Sequence, residues 1–481
     1  MDGSDGGCHR PLFHYTRTSG WMNDPNGPIR LGDRWHLFHQ AADDSPGFTS
    51  VGWGHASSAD LLRWREEPPA LTPLAGESAY SGSVALDPGD SSGLGEAGRP
   101  PLLALFTAHR PGHQSQHLAA STDGGATWRR FAGNPVLDEN LAAFRDPFLF
   151  AWPGADGAPG WGMLVALPCP WSPPFGESGS RLRLYRSDDA RRWNLAGELP
   201  LRTAPGELFE CPALVPVPVE GGGTRLVLLV SLVDRRNGDA PGHVRWCAGR
   251  LDAAGFHPET PLARLDHGPD WYAAQPFAGA PDGRAVAIGW MSSWDYARVL
   301  PVSPWAGGPQ SLPRDLRLDA DDTLRQSPPP ELAGLHGVPV ALPDLDVTDG
   351  GAVLPFAGDA YELHATIDLG DAAEVGLALR AGAAEGTLVG LDGTHAFLDR
   401  HRSGRVDFHP RYPGRWTAPH TGRTLRLTAV VDRCSVELFL ENGAATLTAL
   451  VFPGPESLGL RFYATGGTAR LRDAVVWPIR M

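Results

Sequence analysis

Three carboxylates stand where an acid is awkward. Asp24 lies in Trp21-Met22-Asn23-Asp24-Pro25-Asn26-Gly27, Asp146 in Phe144-Arg145-Asp146-Pro147-Phe148, and Glu210 in Leu208-Phe209-Glu210-Cys211-Pro212. Each is flanked by apolar or aromatic residues, and a proline follows within two positions. Taken singly, each reads equally well as a turn or cap carboxylate, a common role of Asp-Pro. Gathered in one place they would do acid–base chemistry. Neighbouring carboxylates raise one another's pKa, so one keeps its proton at neutral pH while another stays ionised. A nucleophile or base beside a general acid is the equipment for cleaving a glycosidic bond.

A repeat could gather them. HASSADLLRW ends at Trp64, LAASTDGGATW at Trp128 and LYRSDDARRW at Trp193, with fainter copies, CAGRLDAAGF and RDLRLDADDTL, ending at Phe256 and Leu324. The spacings are 64, 65, 63 and 68 residues. Each copy reads as a strand, a tight Asp/Gly turn, a second strand and a large apolar residue. Gly (59) and Pro (46) punctuate strand-length apolar runs such as 35–38, 102–106, 226–230 and 286–290, while long helical periodicity is scarce. The chain therefore reads as all-β, and five copies predict a five-bladed β-propeller, with a β-sandwich of chance similarity as the competing fold. The three acids precede their next marker by 40, 47 and 46 residues, an early phase of blades one, three and four. First strands line a propeller's axis, so acids at that phase converge at one end of the axial cavity.

The repeat stops near Gln326. Residues 328–344 are rich in Pro and Gly and read as a linker. Alternating strands then resume, including the hairpin DRCSVELFLENG, whose Asn442-Gly443 marks a turn. The predicted division is a propeller over 1–327, the linker over 328–344 and a C-terminal β-sandwich over 345–481.

Composition excludes other classes. The 481 residues carry 41 basic and 55 acidic side chains, a formal charge of −14. Nucleic acid and anionic membrane surfaces both need a basic footprint, so neither is an expected partner. Every basic residue is Arg, which removes lysine Schiff-base chemistry and lysine phosphate loops. Cys8, Cys169, Cys211, Cys247 and Cys434 form no CxxC pair, and His14, His36, His39 and His55 fit no metal spacing, so no metal or cofactor is expected. No run of 18 apolar residues and no secretory leader is visible, which points to a cytoplasmic protein. The 16 Trp suit a sugar, whose C–H faces pack on aromatic rings. Trp21, Trp53, Trp271 and Trp290 are the candidates, whereas Trp64, Trp128 and Trp193 read as blade core.

WMNDPNG, WHLFHQ, WGHASSADLLRW, YSGS, GNPVL…FRDP, ECP, DWYAAQPF and IGWMSSW follow one another in the order found in glycoside hydrolase family 32, the β-fructofuranosidases. The C-terminal DRCSVELFLENG…VFP resembles that family's sandwich module, so the resemblance spans about residues 10 to 480. It implies a propeller joined to a sandwich and a retaining mechanism, whose carboxyls stand about 5–5.5 Å apart. Matched motif by motif, Asp24 is the nucleophile, Glu210 the acid/base and Asp146 the transition-state stabiliser. Asn23, Gln40, Phe48, Tyr80, Ser81, Arg145 and Trp290 match substrate-binding positions. Cys211 either tunes the acid beside it or is simply small and buried. Ala41, Ala42, Phe48, Tyr80 and Trp271 depart from the usual residues and leave the pocket rim open. The expected reaction is removal of terminal fructosyl units from sucrose and short fructo-oligosaccharides. Fructosyl transfer, attack on polymeric inulin or levan, and hydrolysis of sucrose 6-phosphate stay open on the same site. A non-catalytic fructan-binding protein is the rival of another class. The sandwich is expected to stabilise the propeller or to mediate homo-oligomer formation.

Overall fold

The structure, a computed structural model, describes residues 9–43, 50–153, 157–167, 179–234 and 242–481. Five sheets form the blades of a propeller, and a C-terminal β-sandwich follows. The inner strands are Gly20–Leu31, Ser78–Leu86, Arg145–Ala151, Glu207–Pro218 and Tyr272–Pro276. Blade one gains a fifth strand by parallel pairing of Gly20 and Trp21 with Trp305 and Ala306, which lie in the connection between the second and third strands of blade five. Among the described residues, no helix is long and apolar enough to cross a membrane.

The repeat marks the outer edge of each blade. Trp64, Phe256 and Leu324 lie in the fourth strands of blades one, four and five. Trp128 and Trp193 stand one residue before the fourth strands Arg129–Arg130 and Asn194–Glu198. The three tryptophans are half-buried and each packs against a blade core from its edge. Each indole N–H must find an acceptor, and each donates to the carbonyl three residues earlier: Leu61, Gly125 and Ala190, at 2.8–3.1 Å. In the same turns Asp60, Asp123 and Asp189 accept backbone N–H groups of Arg63, Thr127 and Arg192. The copied letters are thus a copied hydrogen-bonded turn.

The continuous apolar runs follow from blade stacking. In Leu102–Arg110, Leu102, Ala104 and Phe106 pack toward blade one, while Leu103 and Leu105 pack toward blade three. In Thr224–Asp234, Leu228 and Val230 face blade three, and Val227 and Leu229 face blade five. A strand buried on both faces has no polar side to alternate with. Gly27 sits where the seam of blades one and two is tightest. Its φ is +47°, and a Cβ there would lie 2.1 Å from the Val84 nitrogen.

In the sandwich, the 20-residue strand Gly459–Pro478 serves both layers. Its first part pairs with Glu374–Ala381 and its last part with Tyr361–Asp368, joining eleven strands into one ladder. Leu363, Ile367, Leu377, Val389, Leu438, Phe462 and Leu471 fill the core. Between the domains, Pro330–Leu335 forms a 3-10 turn that buries Leu332 and Leu335 against Phe13, Phe439 and Ile479.

His14 couples the two units. Its Nδ1 lies 2.9 Å from Asp432 and its Nε2 2.9 Å from Glu437, all fully buried. Burial opposes its charge, yet the bonds and charges of the two carboxylates outweigh this and raise its pKa to about 9. A folded pKa above the unfolded value of about 6.5 stabilises fully below that pH. The contribution is lost as pH rises through about 9. Thermal melts between pH 6 and 10 are expected to lose stability over this window, by an amount on the order of 3 kcal/mol at most. His14→Gln, which cannot titrate, should lack that alkaline loss; an identical loss in the variant would assign it elsewhere.

Candidate active site

Each of the five inner strands carries a β-bulge at an equivalent position. The register shifts fall between Met22 and Pro25, Ala79 and Gly82, Arg145 and Phe148, Glu210 and Ala213, and Tyr272 and Gln275. Three bulges contain a non-glycine residue at positive φ: Asp146 (63°), Cys211 (47°) and Ala273 (52°). Such backbone costs of order 1 kcal/mol or more per residue and survives where the surroundings over-determine it. Pro25, Pro147 and Pro212 suit the bulges because they have no N–H to lose from the ladder. The freed N–H groups are taken up by the preceding blade. Asp146 N–H donates to Thr107 Oγ1 and Ala273 N–H to Ser231 Oγ, both at 3.0 Å. Cys211 N–H donates to the Asp146 carboxylate at 3.0 Å.

These bulges bring the three predicted acids together. Asp24 Oδ2 accepts from Ser81 Oγ–H at 2.8 Å, and its Oδ1 accepts from Asn23 Nδ2 at 2.9 Å. Trp21 fixes Asn23 by donating from Nε1 to its Oδ1. The Cys211 thiol lies between the aspartates, 3.6 Å from Asp24 and 3.7 Å from Asp146. Arg145 bridges the other side, with Nη2 2.5 Å from Glu210 Oε1 and Nε 4.0 Å from Asp146 Oδ2. Tyr272, absent from the predicted set, donates its hydroxyl to Glu210 Oε2 at 2.5 Å. Asp24 and Asp146 are buried and Glu210 is half-buried, so the glutamate is the acid nearest solvent.

Burial dominates the electrostatics. It raises the Asp24 pKa above the usual carboxylate range, against the pull of the Asn23 and Ser81 hydrogen bonds, and the charge of Glu210 adds to the rise. Burial likewise raises Asp146, more than the adjacent Arg145 lowers it. It also pushes the Cys211 thiol and the Tyr272 phenol well up, so both remain protonated donors. Arg145 stays charged because Glu210 and Asp146 outweigh the burial that opposes it. If Asp24 must be ionised to act, losing a donor to its carboxylate moves the acid limb of activity upward. Ser81→Ala is expected to move that limb of the kcat/KM profile to higher pH, by up to about one pH unit. An unmoved limb would mean that another group controls it.

The remaining predicted residues are placed unevenly. Tyr80 is half-buried on the blade-two bulge, and its ring stacks on His109 at 4.4 Å between centroids. Gln40 is buried and donates to Ala79 O. Trp290 is fully buried; it donates to Gly307 O and packs on Trp294 and Tyr272. Trp21, Trp53 and Trp271 are no more than 1% exposed. Those tryptophans therefore stand behind the site, and do not offer it a free ring face. Phe48 lies outside the described residues. The four histidines are held by the protein. His36 pairs with His55, and His39 lies against Tyr15 and Gln40. Among the described residues no group of three His, Cys, Asp or Glu side chains is arranged to hold a metal ion.

A five-bladed propeller with carboxylates on its inner strands, a bridging guanidinium and a sandwich alongside suits a glycoside hydrolase. Residues 14–328 match the model of the glycosyl hydrolases family 32 N-terminal domain, and residues 340–478 match that of the family 32 C-terminal domain. The chain belongs to glycoside hydrolase family 32, whose members process fructans and sucrose. It is 34% identical to a levanase of Bacillus subtilis, across 98% of this chain and 70% of that protein. It is 31% identical to an extracellular exo-inulinase of Aspergillus awamori, across 98% and 94%. The crystal structure of exo-inulinase from that organism superimposes with a TM-score of 0.88, covering 100% of this chain and 99% of the other.

Proposed function

We propose that the protein is a retaining, exo-acting β-fructofuranosidase that removes terminal fructosyl units from sucrose and short fructo-oligosaccharides. The observation that carries this is the pairing of two differently placed acids. Asp24 is deep and held by donors that favour its ionised form. Glu210 is nearer solvent and held by Arg145 and Tyr272. In the first step the Asp24 carboxylate attacks C2 of the fructosyl unit. The C2–O bond to the leaving group breaks, and Glu210 gives that oxygen its proton. In the second step Glu210 takes a proton from water as the water oxygen attacks C2. The ester to Asp24 then breaks and returns its electron pair to the carboxylate. Asp146 accepts hydrogen bonds from the fructosyl hydroxyls and faces the positive charge that develops at C2.

The names of the similar levanase and exo-inulinase favour a second reading, attack on the ends of polymeric levan or inulin. Free glucose and fructose released from sucrose, 1-kestose, levanbiose, inulin, levan and sucrose 6-phosphate test both. Free fructose from the short substrates, abolished in Glu210→Ala, is the expected result. Higher kcat/KM on a polymer would favour the second reading, and glucose without matching fructose would mean fructosyl transfer. No release from any substrate would overturn the proposal.

A further inference from the structure

Tyr272 is reached from outside the propeller by a short rigid path. Residues 267–270, just ahead of the inner strand of blade five, belong to no blade ladder. Instead they dock on the sandwich strand Ala445–Leu450. His267 N–H donates to Thr446 O at 2.7 Å, and Asp270 N–H to Thr448 O at 3.1 Å. Gly268 is so close that a Cβ there would stand 2.2 Å from the Thr448 nitrogen.

Two fully buried ion pairs clamp the ends of this segment. At one end, Asp266 accepts from Arg314 at 2.9 Å and from the Thr448 hydroxyl at 2.7 Å, while Arg314 also donates to Glu437 of the sandwich at 2.5 Å. The Arg314 guanidinium lies 4.5 Å over the Trp271 ring. At the other end, Asp270 accepts from Arg400 of the sandwich at 2.5 Å, from Leu450 N–H at 2.8 Å and from the Tyr296 hydroxyl. Asp270 is followed at once by Trp271 and Tyr272. A buried ion pair adds little net stability over an apolar filling; its attested use is to fix register.

We infer that the sandwich positions the Glu210 carboxyl: Arg400 and the strand Ala445–Leu450 fix Asp270, and so hold the Tyr272 hydroxyl that aims Glu210 at the leaving oxygen. This rests on the proposed role of Glu210 as proton donor. Asp270, Tyr296, Arg314 and Arg400 are then positioning residues that never touch substrate, and the C-terminal domain is part of the catalytic apparatus.

The test separates proton donation from general loss of structure. Sucrose needs a protonated leaving oxygen, whereas an aryl fructofuranoside with a stable phenolate does not, and kcat/KM reports the first step for both. Asp270→Asn keeps the side-chain shape, and Tyr296→Phe removes a single hydroxyl, so at least one is expected to fold, checked by thermal melting. In the folded variants kcat/KM for sucrose should fall about tenfold or more, while that for the aryl substrate changes by less than about threefold. Tyr272→Phe should give the same split and Glu210→Gln a larger one. Equal losses on both substrates, or no loss in either folded variant, would overturn the inference while leaving Glu210 as the donor. A Glu210→Gln variant without a split would overturn the role of Glu210 and this inference with it.

Discussion

Asp24→Asn should lower kcat/KM for sucrose by about 10⁴-fold with no loss of fold, because the proposed covalent route loses its nucleophile. The amide matches the carboxylate in shape and can still accept from Ser81, whose hydroxyl lies 2.8 Å away in the native site. What it lacks is the negative charge that, in the proposed mechanism, forms the ester at C2 and balances the developing cation. The expectation is independent of leaving group, so an aryl fructofuranoside should lose as much as sucrose. Native protein quenched by acid during turnover should carry a fructosyl adduct on a peptide containing Asp24, visible by mass spectrometry, and the variant should carry none. An adduct on another peptide, or near-native activity in the variant, would assign the nucleophile elsewhere.

Glu210→Gln should cost about 10³-fold on sucrose, within the usual range for removing a general acid. Two donors now converge on this carboxyl, Arg145 at 2.5 Å and Tyr272 at 2.5 Å, and an amide satisfies them only in part. On the proposed role of Glu210, the proton for the leaving oxygen is gone, and so is the base that activates water in the second step. A small anion that needs no base repairs the second deficit alone. Azide should therefore restore turnover of an aryl fructofuranoside, yielding fructosyl azide, but should not restore turnover of sucrose. Rescue of neither would place the acid/base function on a different residue.

The blade count was legible because Trp64, Trp128, Trp193, Phe256 and Leu324 mark one local feature, the entry to a fourth strand. Local features survive in one dimension. The phase of Asp24, Asp146 and Glu210 was legible for the same reason, since each belongs to the inner strand of its own blade. The bulges were not legible: Pro25, Pro147 and Pro212 read as turn signals, and Ala273 in blade five carries no mark at all. Tyr272 stood inside a recognised motif, yet its partner is 62 positions away in another blade. Nothing in spacing shows which side chains face one another across a seam. Nor does composition tell an exposed ring from a covered one, and Trp21, Trp53, Trp271 and Trp290 are all buried. The clamp on residues 267–270 was further out of reach, since Arg314 meets Glu437 across 123 positions and Arg400 meets Asp270 across 130.

The five equivalent bulges bear on how freely this chain could be rewired. Each acid stands at a kink that its own blade makes, and the freed N–H groups of Asp146, Cys211 and Ala273 are answered by the blade before. The connection from blade four to blade five also matters, because Asp270 within it is clamped by Arg400 and leads directly into Tyr272, which donates to Glu210. Circular permutants opened between blades other than four and five, with the native ends joined by a linker, should keep all three carboxylates in place. The backbone position of each acid is thus written in a repeat unit and its neighbour, while the aim of Glu210 also draws on the sandwich through Asp270 and Tyr272.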